Sequence, residues 1–383
     1  MSVGRVPVYR AKLPAAAQIL PYLEIIDGSR NYTNYGELVF LLEQRLRAII
    51  AAPDCDVIAA ASGTAALQAA ILATAGRATK DRPYALIPSY TFVATAMAAE
   101  ACGYVPVFAD IDAESWAVQA AALLDHPALA KCGVVVPVAP YGRAHSQEEW
   151  VRFARRSGVT VAIDAAASFE ALLADPAGLT GEIPVAVSFH ATKSFSTGEG
   201  GAVIWSDKDG LARVAQALNF GFLRSRQSRS AGFNGKMSEY HAAVGLACLD
   251  QWKATAESVQ NAVHAYRRVA ARAGLEDRIL TAPFVASNYA LFKVETQAEA
   301  DQVTASLGRA GIEHRFWYGR GVHAEPYFAR RKRCLLPGTA RIASRLIGIP
   351  MYPDIEPETI SRIVGVLAGI IGRQPVPNHQ YAA

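Results

Sequence analysis

The sequence predicts an α/β fold with a mostly parallel sheet of about seven strands covered by helices, followed by a smaller α/β domain. Short apolar runs recur between helix-forming stretches, and they are apolar throughout, as strands buried on both faces should be. These runs are "VIAAA" at 57–61, "YALIP" at 84–88, "VPVF" at 105–108, "VVVPV" at 134–138, "VTVAI" at 159–163, "VAVSF" at 185–189 and "GAVIW" at 201–205. Strands alternating with helices favour a parallel sheet.

Two helical stretches carry clear start signals. In "SGTAALQAAILATAG", Ser62 is placed to cap the helix and Gly76 to end it. A helix that starts at a strand end is a ready anion site. In "MSEYHAAVGLACLDQW", Ser238 can cap a helix that we expect to lead out of the large domain.

Beyond about residue 255 the pattern changes. The apolar runs become fewer and more widely spaced, at 288–294, 312–316 and 347–351, with helical stretches between them. We therefore predict a large α/β domain at residues 1–255 and a smaller C-terminal α/β domain at residues 256–383.

The composition narrows the class of protein. The chain has 383 residues, of which 51% are hydrophobic and 19% charged, with a net charge of +4, so neither disorder nor nucleic-acid binding is indicated. Five cysteines are scattered without CxxC spacing, which predicts no metal site and no disulfide framework. No stretch has the pattern of a membrane helix or a secretory signal, so we expect a cytoplasmic protein.

Lys193 lies in "SFHATKSFSTGEGG", residues 188–201, and three interpretations of it can be compared. A phosphate-binding P-loop has glycines before its lysine, whereas here Gly198, Gly200 and Gly201 follow it. A surface lysine is the generic interpretation, but this one follows an apolar strand, where α/β sheets place ligands. A Schiff-base nucleophile is the third, and it requires an electron-sink cofactor.

Other residues supply what such a cofactor needs. Asp164 directly follows the strand at 159–163, 29 residues before Lys193, although an aspartate there can also cap a helix. Gly63 and Thr64 can offer backbone amides to a phosphate. Phe92 can stack on a ring, or simply fill the core.

Eight ordered blocks of sequence resemble the DegT-type nucleotide-sugar aminotransferases, a family within fold type I of the pyridoxal phosphate enzymes, the aspartate aminotransferase-like fold. The blocks are "YTNYGELVFLLEQRL" at 32–46, "SGTAAL" at 62–67, "PSYTFVATAMA" at 88–98, "PVFADID" at 106–112, "IDAAAS" at 163–168, "SFHATKSFSTGEGGAV" at 188–203, "GFNGKMSEYHAAVGL" at 232–246 and "IPMYP" at 349–353.

The resemblance implies pyridoxal 5'-phosphate as cofactor and assigns residues to it. Lys193 matches the lysine that forms the Schiff base, and Asp164 matches the acid on the pyridine nitrogen. Phe92 matches the aromatic residue packed on the ring. Because some members carry histidine in place of the lysine and act as dehydratases, Lys193 favours the aminotransferases.

The resemblance also implies the phosphate ligands. Ser188 and Thr64 match these ligands, with Gly63 supplying the turn. Asn234 matches an asparagine that reaches the phosphate of the neighbouring subunit's cofactor, which implies a homodimer with shared active sites.

One position departs from the family pattern. The family usually has glutamine, which touches the ring hydroxyl of the cofactor, where this chain has Ala167. Ser168 or His190 are the candidates to replace the missing donor.

Residues that contact the substrate are expected in two segments. Arg224, Arg226 and Arg229 lie in "FLRSRQSRSAGF", which forms either a solvated loop or a basic lip for a diphosphate. Tyr318 and His323, in "RFWYGRGVH", lie where small-domain residues of the family approach the substrate, and each can instead be a buried core residue.

The expected activity is a ping-pong transamination from L-glutamate, through pyridoxamine 5'-phosphate, to a keto sugar on a nucleotide. A dTDP-4-keto-6-deoxyhexose is the first choice, which implies deoxyamino sugar biosynthesis such as that of O-antigen or lipopolysaccharide. The alternatives are a sugar dehydratase of the same fold and a non-catalytic regulator that binds the cofactor. A nicotinamide-dependent oxidoreductase is a further alternative, but no GxGxxG motif follows the early strands of this sequence.

Overall fold

A computed structural model describes residues 4–223 and 225–372. The helices and strands run in the order α1 (Ala16–Ser29), α2 (Glu37–Ile50), β1 (Asp56–Ala60), α3 (Gly63–Thr74), β2 (Tyr84–Pro88), α4 (Val93–Ala101), β3 (Val105–Ala109), α5 (Ala120–Leu124), β4 (Cys132–Val135), α6 (Gln147–Ser157), β5 (Thr160–Val161), β6 (Ile163–Asp164), α7 (Phe169–Ala174), α8 (Pro176–Leu179), β7 (Val185–Ser188), β8 (Gly201–Trp205), α9 (Lys208–Leu218), α10 (Glu239–Asp250), α11 (Trp252–Arg272), β9 (Ile279–Leu280), β10 (Ala290–Lys293), α12 (Gln297–Arg309), α13 (Pro337–Ala343), β11 (Leu346–Ile349) and α14 (Pro357–Ile370).

The described chain forms two compact units. The larger unit consists of Leu13–Trp252 and Arg320–Arg341. The smaller unit consists of the described residues up to Lys12, Lys253–Gly319, and those from Ile342 onward. The smaller unit thus contains described residues from before and after the predicted division at residue 255.

The strands of the larger unit confirm the predicted α/β fold with a parallel sheet. They form two four-stranded sheets, β3-β2-β4-β5 and β1-β8-β7-β6, in which only the pairs made by β8 are antiparallel. Ala162 separates β5 from β6, and its amide donates to Val135 O at 3.1 Å. The described part of this unit therefore has eight assigned strands where about seven were predicted, because the apolar run at 159–163 is divided.

Successive strand residues alternate between two apolar cores. Ala85 and Ile87 contribute to one core, and Leu86 between them contributes to the other. Val185 and Ala186 show the same alternation on β7. Because both faces of the sheet are covered, most strand positions are buried, which explains why the runs are apolar.

The smaller unit has its own sheet and core. Its strands form an antiparallel sheet in the order β11-β10-β9. The apolar run at 312–316 is not a strand, since only isolated bridges at Ile312 and Arg315 pair there. The buried residues of α11, α12 and α14 pack with the sheet into one cluster.

Side-chain caps fix the starts of several helices. Ser62 accepts the amide proton of Ala65, and Ser238 accepts that of His241, as predicted. The α2 helix has no cap of its own, and the buried Glu239 carboxylate accepts the amide protons of Leu38 at 2.7 Å and Val39 at 3.2 Å. A residue 201 positions away thus satisfies amides that a helix start leaves unpaired.

Within residues 4–223 and 225–372, no helix has the length and apolar character needed to cross a membrane. The same residues contain no cluster of three or more histidine, cysteine, aspartate or glutamate side chains arranged to hold a metal ion.

The stability of the fold should depend on pH through Glu43. Its Oε1 accepts the Ala59 amide proton at 2.8 Å, and burial raises the pKa of this carboxyl to about 7. Between about pH 4.5 and pH 7 the folded state then binds more protons than the unfolded state, so the free energy of unfolding falls as the pH rises through this window. The contribution levels off above pH 7.

Glu43→Gln should remove this slope while its Oε1 still accepts the Ala59 proton. Relative to wild type, we expect the variant to gain on the order of 1–3 kcal/mol between pH 5 and pH 8. Denaturant unfolding at several pH values measures this. Glu37→Gln, at an exposed position of the same helix, is the control, and parallel pH profiles for Glu43→Gln and wild type would contradict the prediction.

Candidate active site

Asp164 is a buried carboxylate at the C-terminal end of β6, with 8% of its surface exposed. Its Oδ1 accepts the Ala166 amide proton at 3.1 Å, and its Oδ2 accepts the Thr95 hydroxyl proton at 2.7 Å. The pKa of Asp164 is raised, because the effect of burial outweighs the Thr95 and Ala166 donors and the charge of Lys193, which lower the pKa. The donors and the nearby cation therefore favour the ionised carboxylate against its burial.

Thr95 links the Asp164 carboxylate to a second buried hydroxyl through hydrogen bonds. The hydroxyl of Thr95 has a single proton, which it donates to Asp164, so it accepts from Thr91 Oγ1, which is 2.8 Å away. Both threonines are buried. Both hydrogen bonds thus donate in the direction of Asp164.

Lys193 lies in a loop that the backbone closes. Ala191 N donates to Gly198 O at 2.8 Å, and Lys193 N donates to His190 O at 2.8 Å. Gly198 has a φ of +83°, which favours glycine there. The loop holds Lys193 half-buried, near enough for its charge to act on Asp164.

The start of α3 lies against the ends of β7 and β8. A Cβ on Gly63 would lie 2.6 Å from Ser188 Cβ, and a Cβ on Gly201 would lie 2.7 Å from Gly63 N. Glycine at both positions therefore allows the turn to approach Ser188. Thr64, the next residue, is exposed.

Phe92 precedes α4, the helix that carries Thr95. The residue is 59% exposed, which is unusual for a large aromatic residue. Because Thr95 lies one turn further along and bonds Asp164, the start of α4 lies at the same edge of the sheet.

Asn234, Arg226 and Arg229, the candidate residues after α9 that the structure describes, lie on the surface. Asn234 is exposed, and its Oδ1 accepts from Lys236 Nζ at 2.7 Å. Arg226 and Arg229 are exposed, and Arg229 donates to Gln227 Oε1 at 3.1 Å. Arg224 lies outside the described residues.

His323 reaches the sheet edge through Ser89, which follows β2. Its Nδ1 lies 2.6 Å from Ser89 Oγ. Burial and the charges of Arg333 and Arg320 lower the pKa of His323, so its neutral form prevails at pH 7. Tyr318 is half-buried in the smaller unit, whereas the other candidate residues that the structure describes belong to the larger unit.

Ala167 is buried, and the two candidates to replace the missing glutamine differ. His190 Nδ1 bonds Thr192 Oγ1 at 2.9 Å, and its Nε2 lies 3.7 Å from Glu199. Ser168 Oγ is buried and has no hydrogen-bond partner among the described residues.

The family of the chain is decided by a match along most of its length. The model of the DegT/DnrJ/EryC1/StrS aminotransferase family matches residues 15–368. The chain belongs to this family. It is an aminotransferase, and its cofactor is pyridoxal 5'-phosphate.

Relatives and solved structures match nearly the whole chain. Protein Rv3402c of Mycobacterium tuberculosis is 31% identical over 376 residues, which are 96% of this chain and 90% of the relative. The dTDP-4-amino-4,6-dideoxy-D-glucose transaminase of Shigella dysenteriae is 27% identical, with 95% of this chain and 98% of the relative covered.

Two solved structures have the same fold. A Bacillus cereus protein described as a PLP-dependent aminotransferase is similar with a TM-score of 0.86 and 30% identity, over 95% of this chain and 100% of that one. DesI in the presence of its TDP-sugar product is similar with a TM-score of 0.82 and 27% identity, over 96% of this chain and 93% of that one.

The residues at the sheet edge fit this cofactor. A buried carboxylate with two donors, Asp164, suits the ring nitrogen. The α3 start suits a phosphate, because Ala65 N and Ala66 N bond Ser62, while Gly63 N and Thr64 N, at the first two positions, have no intrahelical acceptor.

Sequence patterns did not indicate Thr95 or Ser89. Thr95 is the only polar residue, apart from Glu100, in "VATAMAAEA", an otherwise apolar helix that begins beside Phe92. A hydroxyl on a buried helix face is a usable signal, but its partner lies 69 residues away.

Thr95→Val should raise the pKa of Asp164 further, because the buried Oδ2 loses its hydroxyl donor. A hydrogen bond to a charged group contributes about 1.5–3 kcal/mol, equivalent to a shift of about 1–2 pKa units. Carbon-13 NMR of the cofactor-free protein measures the shift. Thr95→Ser keeps the donor and should titrate like wild type, and an unshifted Asp164 in Thr95→Val would refute the role.

Proposed function

We propose that this aminotransferase moves the amino group of L-glutamate to a keto group of a nucleotide-linked sugar. A dTDP-4-keto-6-deoxyhexose is the substrate that we favour. The observation that carries the proposal is Lys193 held beside the buried Asp164 at the sheet edge. This arrangement suits amino-group chemistry, since it pairs an amine with a carboxylate that can stabilise a protonated ring.

The names of relatives support the choice of a nucleotide sugar. The Shigella dysenteriae relative is a transaminase of a dTDP-linked dideoxy sugar. An Acidithiobacillus ferrooxidans relative, 26% identical over 81% of this chain, is named for amination of a UDP-linked 3-dehydro sugar. DesI was solved with a TDP-sugar product.

Each residue of the site has a role in this proposal. Pyridoxal phosphate, when bound, supplies an electron sink for the carbon that loses a proton. The Lys193 Nζ accepts that proton and returns it at the neighbouring position. The Asp164 carboxylate keeps the proton on the ring nitrogen, and the Phe92 ring covers one face.

The remaining cofactor ligands bind the phosphate and thereby orient the cofactor. The Gly63 and Thr64 amides and the Ser188 hydroxyl bind the phosphate at the start of α3. Asn234 reaches the phosphate of a cofactor bound by a second copy of the chain, in a homodimer with shared sites. All five cysteines are free, which suits action in a reducing cytoplasm.

Arg224, Arg226 and Arg229 bind the diphosphate of the nucleotide sugar in this proposal, and Tyr318 and His323 contact the sugar. Arg226 and Arg229 are exposed, and arginine's planar fork matches phosphate oxygens. His323, neutral at pH 7 and bonded to Ser89, is able to accept or donate a hydrogen bond to a sugar hydroxyl.

Lys193→Ala should lower the rate of transamination by more than about 10³-fold, because the proton-transfer group is lost. Binding of pyridoxamine phosphate should stay within about twofold of wild type. Mass spectrometry of the products formed from glutamate and several nucleotide-linked keto sugars measures the transamination rate. Calorimetry measures the binding of pyridoxamine phosphate.

Lys208→Ala, at an exposed position of α9, is the matched control. Retained turnover in Lys193→Ala would reject the assigned role. A wild-type protein that releases water from the sugar without consuming glutamate would instead be a dehydratase, and one whose cofactor absorbance is unchanged by glutamate would be a regulator.

Arg226→Gln and Arg229→Gln should raise the KM for the nucleotide sugar by about tenfold or more, equivalent to about 1.4 kcal/mol, and leave the KM for glutamate within about twofold. The reason is that glutamate has no diphosphate. Steady-state kinetics with each substrate varied in turn measures both values. Equal increases for the two substrates would show that the arginines act on the fold.

A further inference from the structure

Tyr141 and Trp116 are two buried aromatic residues with a left-handed backbone. Their φ angles are +55° and +61°, a region that bulky residues rarely adopt. The two rings lie edge to face, with their centroids 5.8 Å apart. Strained backbone of this kind persists only where the surrounding structure fixes it, and it is concentrated at functional sites. This pair of residues therefore points to a role in the site.

Arg143 supports the conformation through Trp116. Its guanidinium carbon lies 4.7 Å from the centroid of the Trp116 ring. Its Nη1 donates to Glu114 O at 3.0 Å and to Ser115 O at 2.8 Å, the two carbonyls that directly precede Trp116. One side chain thus binds both the ring of Trp116 and the backbone before it.

Tyr141 belongs to a segment that is hydrogen-bonded to the backbone of Asp164. Asp164 N donates to Pro137 O at 2.9 Å, and Ala139 N donates to Asp164 O at 2.9 Å. Tyr141 follows Ala139 by two positions, where two successive left-handed residues, Tyr141 and Gly142, turn the chain. The strained residue therefore lies close along the chain to the strand end that carries the carboxylate.

The side chain of Tyr141 reaches the loop after β2. Its hydroxyl oxygen lies 2.9 Å from that of Tyr90, which is also buried. Thr91, the next residue, bonds the hydroxyl that donates to Asp164. Phe92 follows and directly precedes α4. This stretch, residues 89–92, is called the Tyr90 loop, and it connects the Tyr141 hydroxyl with two residues of the site.

We propose that Tyr141 is a positioning residue, which holds the Tyr90 loop at the edge of the sheet. The loop in turn places Thr91 in the hydrogen-bond chain to Asp164 and places Phe92 against the cofactor ring. The part that concerns Phe92 rests on the proposed function, whereas the part that concerns Asp164 does not.

Tyr141→Phe tests the proposal, because it removes the hydroxyl and keeps the ring that packs on Trp116. In the cofactor-free full chain, carbon-13 NMR should show the pKa of Asp164 raised by about 0.5–1 relative to wild type, the equivalent of one neutral hydrogen bond lost from the chain. Calorimetry should show binding of pyridoxamine phosphate weakened by about three- to tenfold, the equivalent of a displaced aromatic contact.

Two further variants test the path of the effect. Tyr90→Phe removes the other hydroxyl of the pair and should cause the same changes. Combined with Tyr141→Phe it should be no worse than either variant alone, because both act through one contact. In a Phe92→Leu background, Tyr141→Phe should weaken binding of pyridoxamine phosphate by less than about twofold, since the ring that it places is absent.

Tyr104→Phe is the matched control. Tyr104 is buried too, and its hydroxyl donates to Ala75 O and Gly76 O at 3.2 Å. It precedes β3, so it lies at the ends of the strands opposite to the site. The control should lose thermal stability as Tyr141→Phe does, while Asp164 titrates and pyridoxamine phosphate binds as in wild type.

An unchanged titration of Asp164 in Tyr141→Phe would overturn the proposal, whatever the affinity for pyridoxamine phosphate. Equal changes in Tyr104→Phe would also overturn it, because any lost buried hydroxyl would then disturb the site. Wild-type affinity of Phe92→Leu for pyridoxamine phosphate would reject the role of Phe92 in the proposed function and leave the Asp164 test intact.

Discussion

The site depends on keeping the Asp164 carboxylate charged inside the protein. A carboxylate with 8% exposure is unstable as an ion unless donors and a cation compensate for lost hydration. Thr95, the Ala166 amide and the charge of Lys193 lower the pKa of Asp164 and so offset part of the effect of burial, which is the largest and leaves the pKa raised. These groups come from α4, from the chain after β6 and from the loop after β7, so all three segments must meet at one edge of the sheet.

Close backbone approach is the second requirement. Gly63 and Gly201 have no side chain where Ser188 and the α3 turn come together, and a Cβ at either position would overlap a neighbour. The glycines after Lys193 therefore have separate tasks. Gly198 adopts the left-handed conformation that closes the lysine loop, and Gly201 makes room for the turn at Gly63.

Much of this arrangement was predictable from residue patterns. The strand ends at Asp164 and Ser188 follow apolar runs, and carboxyl ends of parallel strands meet at the same edge. Serine caps before α3 and α10 were also predictable, because a hydroxyl bonds an amide only three residues away. The division of the run at 159–163 was not, since periodicity carries no information about a break in hydrogen bonding.

The sequence by itself determined the fold class and the family, because apolar periodicity and ordered motifs are local properties of the chain. Only the tertiary structure decided which partners act on those residues. Thr95 reaches Asp164 across 69 positions, and Glu239 caps α2 across 201. Such contacts depend on how distant segments pack, and a single sequence records the residues without recording which of them touch.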